Sequence, residues 1–334
     1  MPSWNDLLTE LQESARSNNG IPDYDGIRRR YLTDLQSHTG RDTILYATCF
    51  ASREATQPIT SIVDEDMTGF MTVVHGLRNK NLDLILHSPG GSLEAAESIV
   101  EYLRLKFRHI RVIVPQLALS AATILACGAD VVALGKHSFL GPIDPQILVQ
   151  TQLGARYVPA QAILEQFEKA VKECEDAKRL PAWIPMLSQY GPHLLVACEN
   201  ASALSKTLVT DWLTRWMFKK NADRDKRAEK IARWLADHKH FKSHGRHIPR
   251  SQLKKKGFNI EFLEKDQTFQ DLVLSVHHAT THTFMGTGAG KIIENHLGKA
   301  FVKLMQQIQF PIQVPMPQPT FPQQPTPSAP RPPS

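Results

Sequence analysis

Between residues 43 and 134 one unit recurs: a strand-length run of unbroken apolar residues, then a segment with helical spacing. The runs are Thr43-Ile44-Leu45-Tyr46-Ala47-Thr48-Cys49-Phe50, Leu82-Asp83-Leu84-Ile85-Leu86-His87, Ile110-Arg111-Val112-Ile113-Val114 and Val131-Val132-Ala133-Leu134. A strand with one face in water alternates polar and apolar residues. These runs are close to continuous, which predicts a parallel sheet covered by helices on both faces. The predicted helices are residues 64–80, with Asp64 as N-cap and Met67, Phe70, Met71, Val74 and Leu77 in phase; Leu93 to Phe107; and Ser120 to Cys127, closed by Gly128. The pattern over residues 43–134 is thus β-α-β-α-β-α-β, an α/β fold.

Residues 1–40 read as one or two amphipathic helices, broken at Asn18-Asn19-Gly20-Ile21-Pro22. Residues 160–240 are almost wholly helical by period, with interruptions at Pro181, Pro185 and Gly191-Pro192. A short helix then ends at Gly257, strand-like Phe258 to Leu263 follows, and a long helix runs to about residue 280. From residue 309 the composition changes: 10 of the last 24 residues are proline, interspersed with Gln, Ser and Thr. Such a segment has little to bury and is predicted to be a disordered or polyproline-II-like tail. The expected organisation is a helical N-terminal extension (1–40), an α/β domain (41–300) with a helical insertion at about 160–240, and the tail (309–334).

With 42% apolar and 22% charged residues over 334 positions, the bulk of the chain has the composition of a globular protein. No basic stretch precedes an apolar one at the start, and the longest apolar stretch, Leu117 to Ala129, falls short of the roughly 20 residues a bilayer requires. A soluble, cytoplasmic protein without a membrane span is expected. Cys49, Cys127, Cys174 and Cys198 are widely spaced and form no C-x-x-C pair, as suits buried free thiols in a reducing compartment.

The net charge of +6 is local in origin. Residues 219–256 carry 14 Lys and Arg against 4 Asp and Glu, a balance of +10 that leaves −4 for the rest. Ile231, Trp234 and Leu235 recur at helical spacing among those charges, so the segment is read as a solvated helical face, and a nucleic-acid partner is not expected. His277, His278 and His282 lack the accompanying carboxylate or cysteine pattern of a metal site and are read as packing or surface residues; no metal or cofactor is expected. Gly286-Thr287-Gly288-Ala289-Gly290-Lys291 resembles a phosphate loop in composition, but it follows a helix pattern instead of a strand.

Two places suggest chemistry. Ser88-Pro89-Gly90-Gly91 closes the second apolar run, and ligands of open α/β sheets bind at the carboxyl ends of strands. Two glycines there let bare backbone N–H groups approach a ligand, as an anion nest or an oxyanion hole; an ordinary turn is the alternative. Ser120 follows the third run and opens a buried helix, where its hydroxyl and the next N–H lie near the positive helix end. An ordinary N-cap serine is the alternative there.

Taken in order, Leu84-Ile85-Leu86-His87-Ser88-Pro89-Gly90-Gly91, Leu119-Ser120-Ala121-Ala122, Gly128-Ala129-Asp130 and Ser138-Phe139-Leu140-Gly141-Pro142-Ile143-Asp144 resemble the ClpP/crotonase superfamily. More narrowly the chain resembles the serine dehydrogenase proteinase family, related to signal peptide peptidase A, as do Ser243-His244-Gly245-Arg246-His247-Ile248 and Leu272 to His278. The likeness covers about residues 43–300. It implies a ClpP/crotonase-like spiral of βαβ units, a serine peptidase acting on a peptide or protein, and assembly into a homo-oligomer.

Carried over by motif, Ser120 is the nucleophile, Gly90 and Gly91 are the oxyanion-hole glycines, and the N–H of Ala121 is a second donor. The base departs from the family pattern. The lysine of Ser-Lys relatives falls at Gln161, after the Tyr157-Val158-Pro159-Ala160 turn. The ClpP-type histidine falls near Ile143-Asp144 and the ClpP-type aspartate near Gly245. His244 is therefore the candidate base, oriented by Asp144, with Lys172, Lys178 and His137 as alternatives. A catalytically inactive peptide-binding or assembly module, nucleic-acid association through the basic residues 219–256, and an acyl-CoA enzyme of crotonase type are the competing functions.

Overall fold

Each continuous apolar run becomes a strand buried on both faces. The structure, a computed structural model, describes residues 3–53, 59–151 and 154–305; the expected proline-rich tail lies outside them. The central sheet is built from β1 (Asp42–Thr48), β2 (Asn81–His87), β3 (His109–Val114), β5 (Val131–Leu134), β10 (Ile260–Phe262), β11 (Ala289–Asn295) and β12 (Ala300–Leu304). Its order is β10-β5-β3-β2-β1-β11-β12, parallel from β10 to β1 and antiparallel at β11 and β12. Smaller sheets join β4 (Leu117–Ala118), β6 (Phe139–Leu140) and β9 (Ile248–Pro249), and pair β7 (Gln146–Thr151) with β8 (Gly154–Pro159).

Side-chain alternation divides the two faces. Ile44, Tyr46, Leu84, Leu86, Val112 and Val114 point into one core, with α3 (Asp66–Val74), α4 (Leu93–Lys106), α5 (Ala121–Cys127), α8 (Leu194–Trp212) and α9 (Arg224–Leu235). Leu45, Ala47, Ile85, Ile113 and Ala133 point into the other, with α2 (Tyr24–Thr39) and α12 (Gln267–Gly286). This two-sided burial accounts for the unbroken apolar runs. Helix α1 (Trp4–Ser17) completes the N-terminal pair, packing Leu7 and Leu11 beside Ile27 and Ala279.

The helices of residues 160–240 are α6 (Ala160–Glu173), α7 (Leu180–Leu187), α8 and α9. Beyond them lie α10 (His238–Phe241) and α11 (Arg250–Lys256), the latter ended by Gly257 at φ +105°. The basic segment behaves as its periodicity predicts, with Ile231, Trp234 and Leu235 buried beneath the charges. Cys49, Cys127 and Cys198 are buried and Cys174 is half-buried, all as free thiols. Among the described residues no helix is long and apolar enough to cross a membrane.

Two local expectations need correction. The helix expected over 64–80 starts at Asp66 and ends at Val74, because Gly76 turns the chain at φ +92°. Asp66, not Asp64, takes the loop's N–H, accepting from Val63 N at 3.0 Å. The stretch beginning Gly286-Thr287-Gly288 closes α12 and leads into β11, with Lys291 wholly buried.

Candidate active site

The backbone after β2 makes two parallel bridges in succession, and these aim the diglycine turn. Ser88 pairs with Ala118: its N–H donates to Leu117 O at 3.1 Å and its carbonyl accepts from Leu119 N at 3.0 Å. Gly91 pairs with Ile62 through its neighbours, Ile62 N donating to Gly90 O at 2.8 Å and Ser92 N to Ile62 O at 2.9 Å. In that pattern Gly91's own N–H and C=O face away from Ile62. Gly90 N–H is already engaged, donating to Ser88 Oγ at 3.2 Å. Of the two glycines, Gly91 supplies the outward-facing donor and Gly90 supplies room. A Cβ on Gly90 would lie 2.7 Å from both Leu119 O and Ser120 Cβ, and 2.9 Å from Ala121 N. Both glycines sit at positive φ, +103° and +153°.

Ser120 occupies the corner facing that turn. Its φ of 52° and ψ of −122° are rare for a residue with a side chain and cost on the order of 1–3 kcal/mol. The surroundings hold it there: Thr123 Oγ1 donates to Ala118 O at 2.8 Å and accepts from Gly141 N at 2.9 Å, tying α5 to the strand before it. Ser120 is positioned as the N-cap of α5, yet its hydroxyl makes no capping bond. The ordinary N-cap reading therefore does not hold. Ala121 is the first helical residue, so its N–H has no intrahelical acceptor.

Gly90, Gly91, Ser120, Ala121 and His244 line one cavity of about 660 Å³, a size typical of ligand sites. Much of its remaining wall is apolar, from Ile62, Leu93, Ile124, Ile143, Ile147 and Leu204. His244 Nδ1 lies 2.8 Å from Asp144 Oδ1. A carboxylate only accepts, so that contact places the proton on Nδ1 and leaves Nε2 as the basic nitrogen. Asp144 is 1% exposed. Its other oxygen meets His238 Nδ1 at 3.0 Å and the Gln146 amide nitrogen at 3.1 Å. The residue before it is held from two helices, Ser205 Oγ donating to Ile143 O at 2.9 Å and Ile143 N to Leu235 O at 2.9 Å.

The sequence-derived set therefore assembles: Ser120, Gly90, Gly91, Ala121 and His244 share the cavity, with Asp144 behind His244. Lys172, Lys178 and His137 are exposed and do not line it. Gln161 donates to Glu165 instead of entering it. Sequence reasoning missed His238, whose one signal, a histidine six positions before His244, was lost among neighbouring charges. Among the described residues no group of His, Cys, Asp and Glu is arranged to hold a metal ion.

On the far face of the sheet from this cavity, His87 is buried beside Phe50 and His277, and its Nδ1 has no partner. Burial pushes its pKa down to about 4. His277 is lowered in the same sense, by burial first and then by neighbouring histidines. His282 stacks on Trp4 with ring centroids 3.7 Å apart, joining α12 to the N-terminal helix.

The parallel-rich central sheet, the strand-end diglycine and the serine corner define an α/β fold with a candidate site at the carboxyl ends of its strands. More narrowly, residues 62–186 match the family model of the ClpP-like SDH-type serine proteinases. Two uncharacterised proteins of Methanocaldococcus jannaschii are similar over shorter stretches. One is 41% identical over 70 residues, covering 21% of this chain and 24% of that protein. The other is 35% identical over 95 residues, covering 28% and 30%. The chain thus spans less than a third of the length of these curated relatives. Among solved structures, a mutant of the 1510-N membrane-bound stomatin-specific protease aligns at 14% identity over 60% of this chain and 74% of that one, with TM-score 0.36. A second mutant of that protease, in complex with a substrate peptide, aligns at 19% identity over 54% and 60%, with TM-score 0.32.

Proposed function

We propose that the chain is a serine peptidase that cleaves peptide bonds through an acyl-enzyme on Ser120. The observation that carries this reading is the juxtaposition in one cavity of a strained serine, the Gly91 N–H and a histidine seated on a buried carboxylate. Backbone strain is retained at functional positions, and a capping role does not account for it here. The proteinase family model matched by residues 62–186 supports the same class.

In this mechanism Ser120 Oγ attacks the scissile carbonyl carbon while its proton passes to His244 Nε2. The carbonyl oxygen becomes an oxyanion that accepts from the N–H groups of Gly91 and Ala121. Collapse of the tetrahedral adduct breaks the C–N bond, and the departing amine takes the proton from His244. Water then attacks the ester, giving its proton to His244, and the acid leaves as Ser120 regains its hydrogen. Asp144 keeps the imidazole in the required tautomer and balances its transient positive charge. The mechanism requires a hydrogen bond from Ser120 Oγ to His244 Nε2, a contact of the kind that often tightens only in the Michaelis complex.

The test is labelling with a fluorophosphonate, which phosphonylates an activated serine. Labelling that disappears in Ser120→Ala supports the peptidase. No labelling of the wild-type chain under any condition refutes it and favours a peptide-binding module of the same fold. A cytoplasmic setting and a homo-oligomeric assembly belong to the same proposal and rest on the family resemblance alone.

A further inference from the structure

Beneath the oxyanion turn lies a buried polar network that the catalytic steps do not use. Lys291, on β11, is fully buried. Its Nζ donates to Asp66 Oδ1 at 2.6 Å, Asp66 Oδ2 at 2.9 Å and the carbonyl of Ser61 at 2.7 Å. Asp66 also accepts from Tyr46 Oη at 2.7 Å and from Val63 N at 3.0 Å. Tyr46 pairs with Leu86 of β2, two residues before Ser88, and Ser88 Oγ accepts from Gly90 N. The residues so gripped, Ser61 and Val63, flank Ile62, whose N–H and C=O are the two groups that hold Gly90 and Ser92.

A charged pair this deep is costly to bury and is not needed to fill the space, since apolar residues of similar volume are often as stabilising. What it supplies is direction: Lys291 Nζ holds Ser61 O and Asp66 holds Val63 N, one on each side of Ile62, while Lys291 and Tyr46 together fix Asp66. The clearance is small. A Cβ at Gly91 would stand 2.3 Å from Ile62 O and 2.4 Å from Ile62 N, so a shift of Ile62 is transmitted directly to Gly91.

We infer that Lys291, Asp66 and Tyr46 are positioning residues for the oxyanion hole, acting through Ile62 to aim the Gly91 N–H at the cavity. This rests on the Ser120 peptidase reading and deepens it. Lys291 lies outside the segment matched by the family model, so this part of the device comes from the C-terminal antiparallel strands.

The experiment measures saturable fluorophosphonate labelling of the full chain, separating the limiting rate from the half-saturating probe concentration, alongside thermal unfolding. The variants are Tyr46→Phe, Lys291→Met and the double variant Lys291→Met/Asp66→Asn, which removes both buried charges together. Misaimed donors lower the limiting rate and leave probe capture unchanged. The expected losses are about 3- to 10-fold for Tyr46→Phe and about 100-fold for Lys291→Met, the order seen for a lost oxyanion donor. In the double variant stability recovers while the rate stays low, because Ser61 O and Val63 N still lack their charged anchors. A purely structural role would make rate and stability recover together. Wild-type limiting rates in folded Tyr46→Phe and in the double variant overturn the inference; Tyr46→Phe decides the matter if Lys291→Met does not fold. An unlabelled wild-type chain instead refutes the Ser120 reading itself.

Discussion

Replacing Gly90 with alanine tests the site where its tolerance is smallest. The added methyl would stand 2.7 Å from Leu119 O and Ser120 Cβ and 2.9 Å from Ala121 N, closer than real Cβ contacts come. Two of those three neighbours are backbone atoms and the third is the Cβ of Ser120, so no flexible side chain can absorb the clash. The φ of +103° adds a conformational cost of about 1–2 kcal/mol for any residue but glycine. Overpacking in a rigid setting adds about 1–3 kcal/mol. If the backbone holds, the variant loses about 2–5 kcal/mol of stability; if it yields, the serine corner and the diglycine turn part by several tenths of an ångström. The first response crowds the Ser120 corner with the added methyl and the second separates Ser120 from the proposed oxyanion donors, so fluorophosphonate labelling should fall about 100-fold or more. Gly40→Ala is the control, since it also has positive φ (+64°) but meets nothing within 4 Å. It should lose about 1 kcal/mol and label normally. A folded Gly90→Ala protein that labels at the wild-type rate would refute the argument that the two loops act as one site.

Other outcomes follow from the same geometry. His244→Ala should lower labelling about 100- to 10,000-fold without a matching loss of thermal stability, and Asp144→Asn should act in the same direction, since an amide can present a donor to His238 or His244 where both need an acceptor. Wild-type activity in His244→Ala would remove the base assignment. His87 has a folded pKa near 4 against an ordinary value of 6.5, so the unfolded chain binds its proton first as pH falls. Its contribution is therefore complete above pH 6.5 and lost progressively between 6.5 and 4. In urea unfolding, His87→Leu should reduce the stability difference between pH 7 and pH 5 by about 2 kcal/mol; an unchanged difference would sink this. Ala201→Trp, in the α8 wall of the cavity, should raise KM for peptides severalfold while leaving fluorophosphonate labelling near normal, because it fills binding space away from the serine. Equal losses in both would place Ala201 against the reacting atoms instead.

The sequence spoke most clearly where burial was uniform. β1, β2, β3 and β5 are dry on both faces, and their apolar runs could be read directly. β7 and β8 were missed because Gln146, Gln150 and Arg156 interrupt their apolar residues, so neither a continuous run nor a clean alternation emerges. β11 was missed for a related reason: Ala289-Gly290-Lys291 opens it with a glycine and a charge, which read as a loop. Lys291 is buried there only because Asp66, 225 positions earlier, neutralises it, a pairing that no local pattern can announce. The serine and the diglycine turn were legible because their chemistry depends on residue types at strand ends. The His244–Asp144 contact was expected only through the family likeness, since 100 residues separate the pair. His238 stayed hidden in His238-Lys239-His240-Phe241, where a run of basic side chains resembles any wet helix turn.

The proposed nucleophile, its carboxylate-bound imidazole and the lysine beneath the turn come from positions 120, 244 and 291, with a long helical stretch between the first two. A chain emerging from the ribosome therefore carries the Ser120 alcohol through the whole 160–240 helical stretch with no histidine partner to draw off its proton. In the proposed mechanism, hydrolytic competence therefore waits for residues that enter late in the fold, and the aim of the turn waits for the antiparallel strand that carries Lys291.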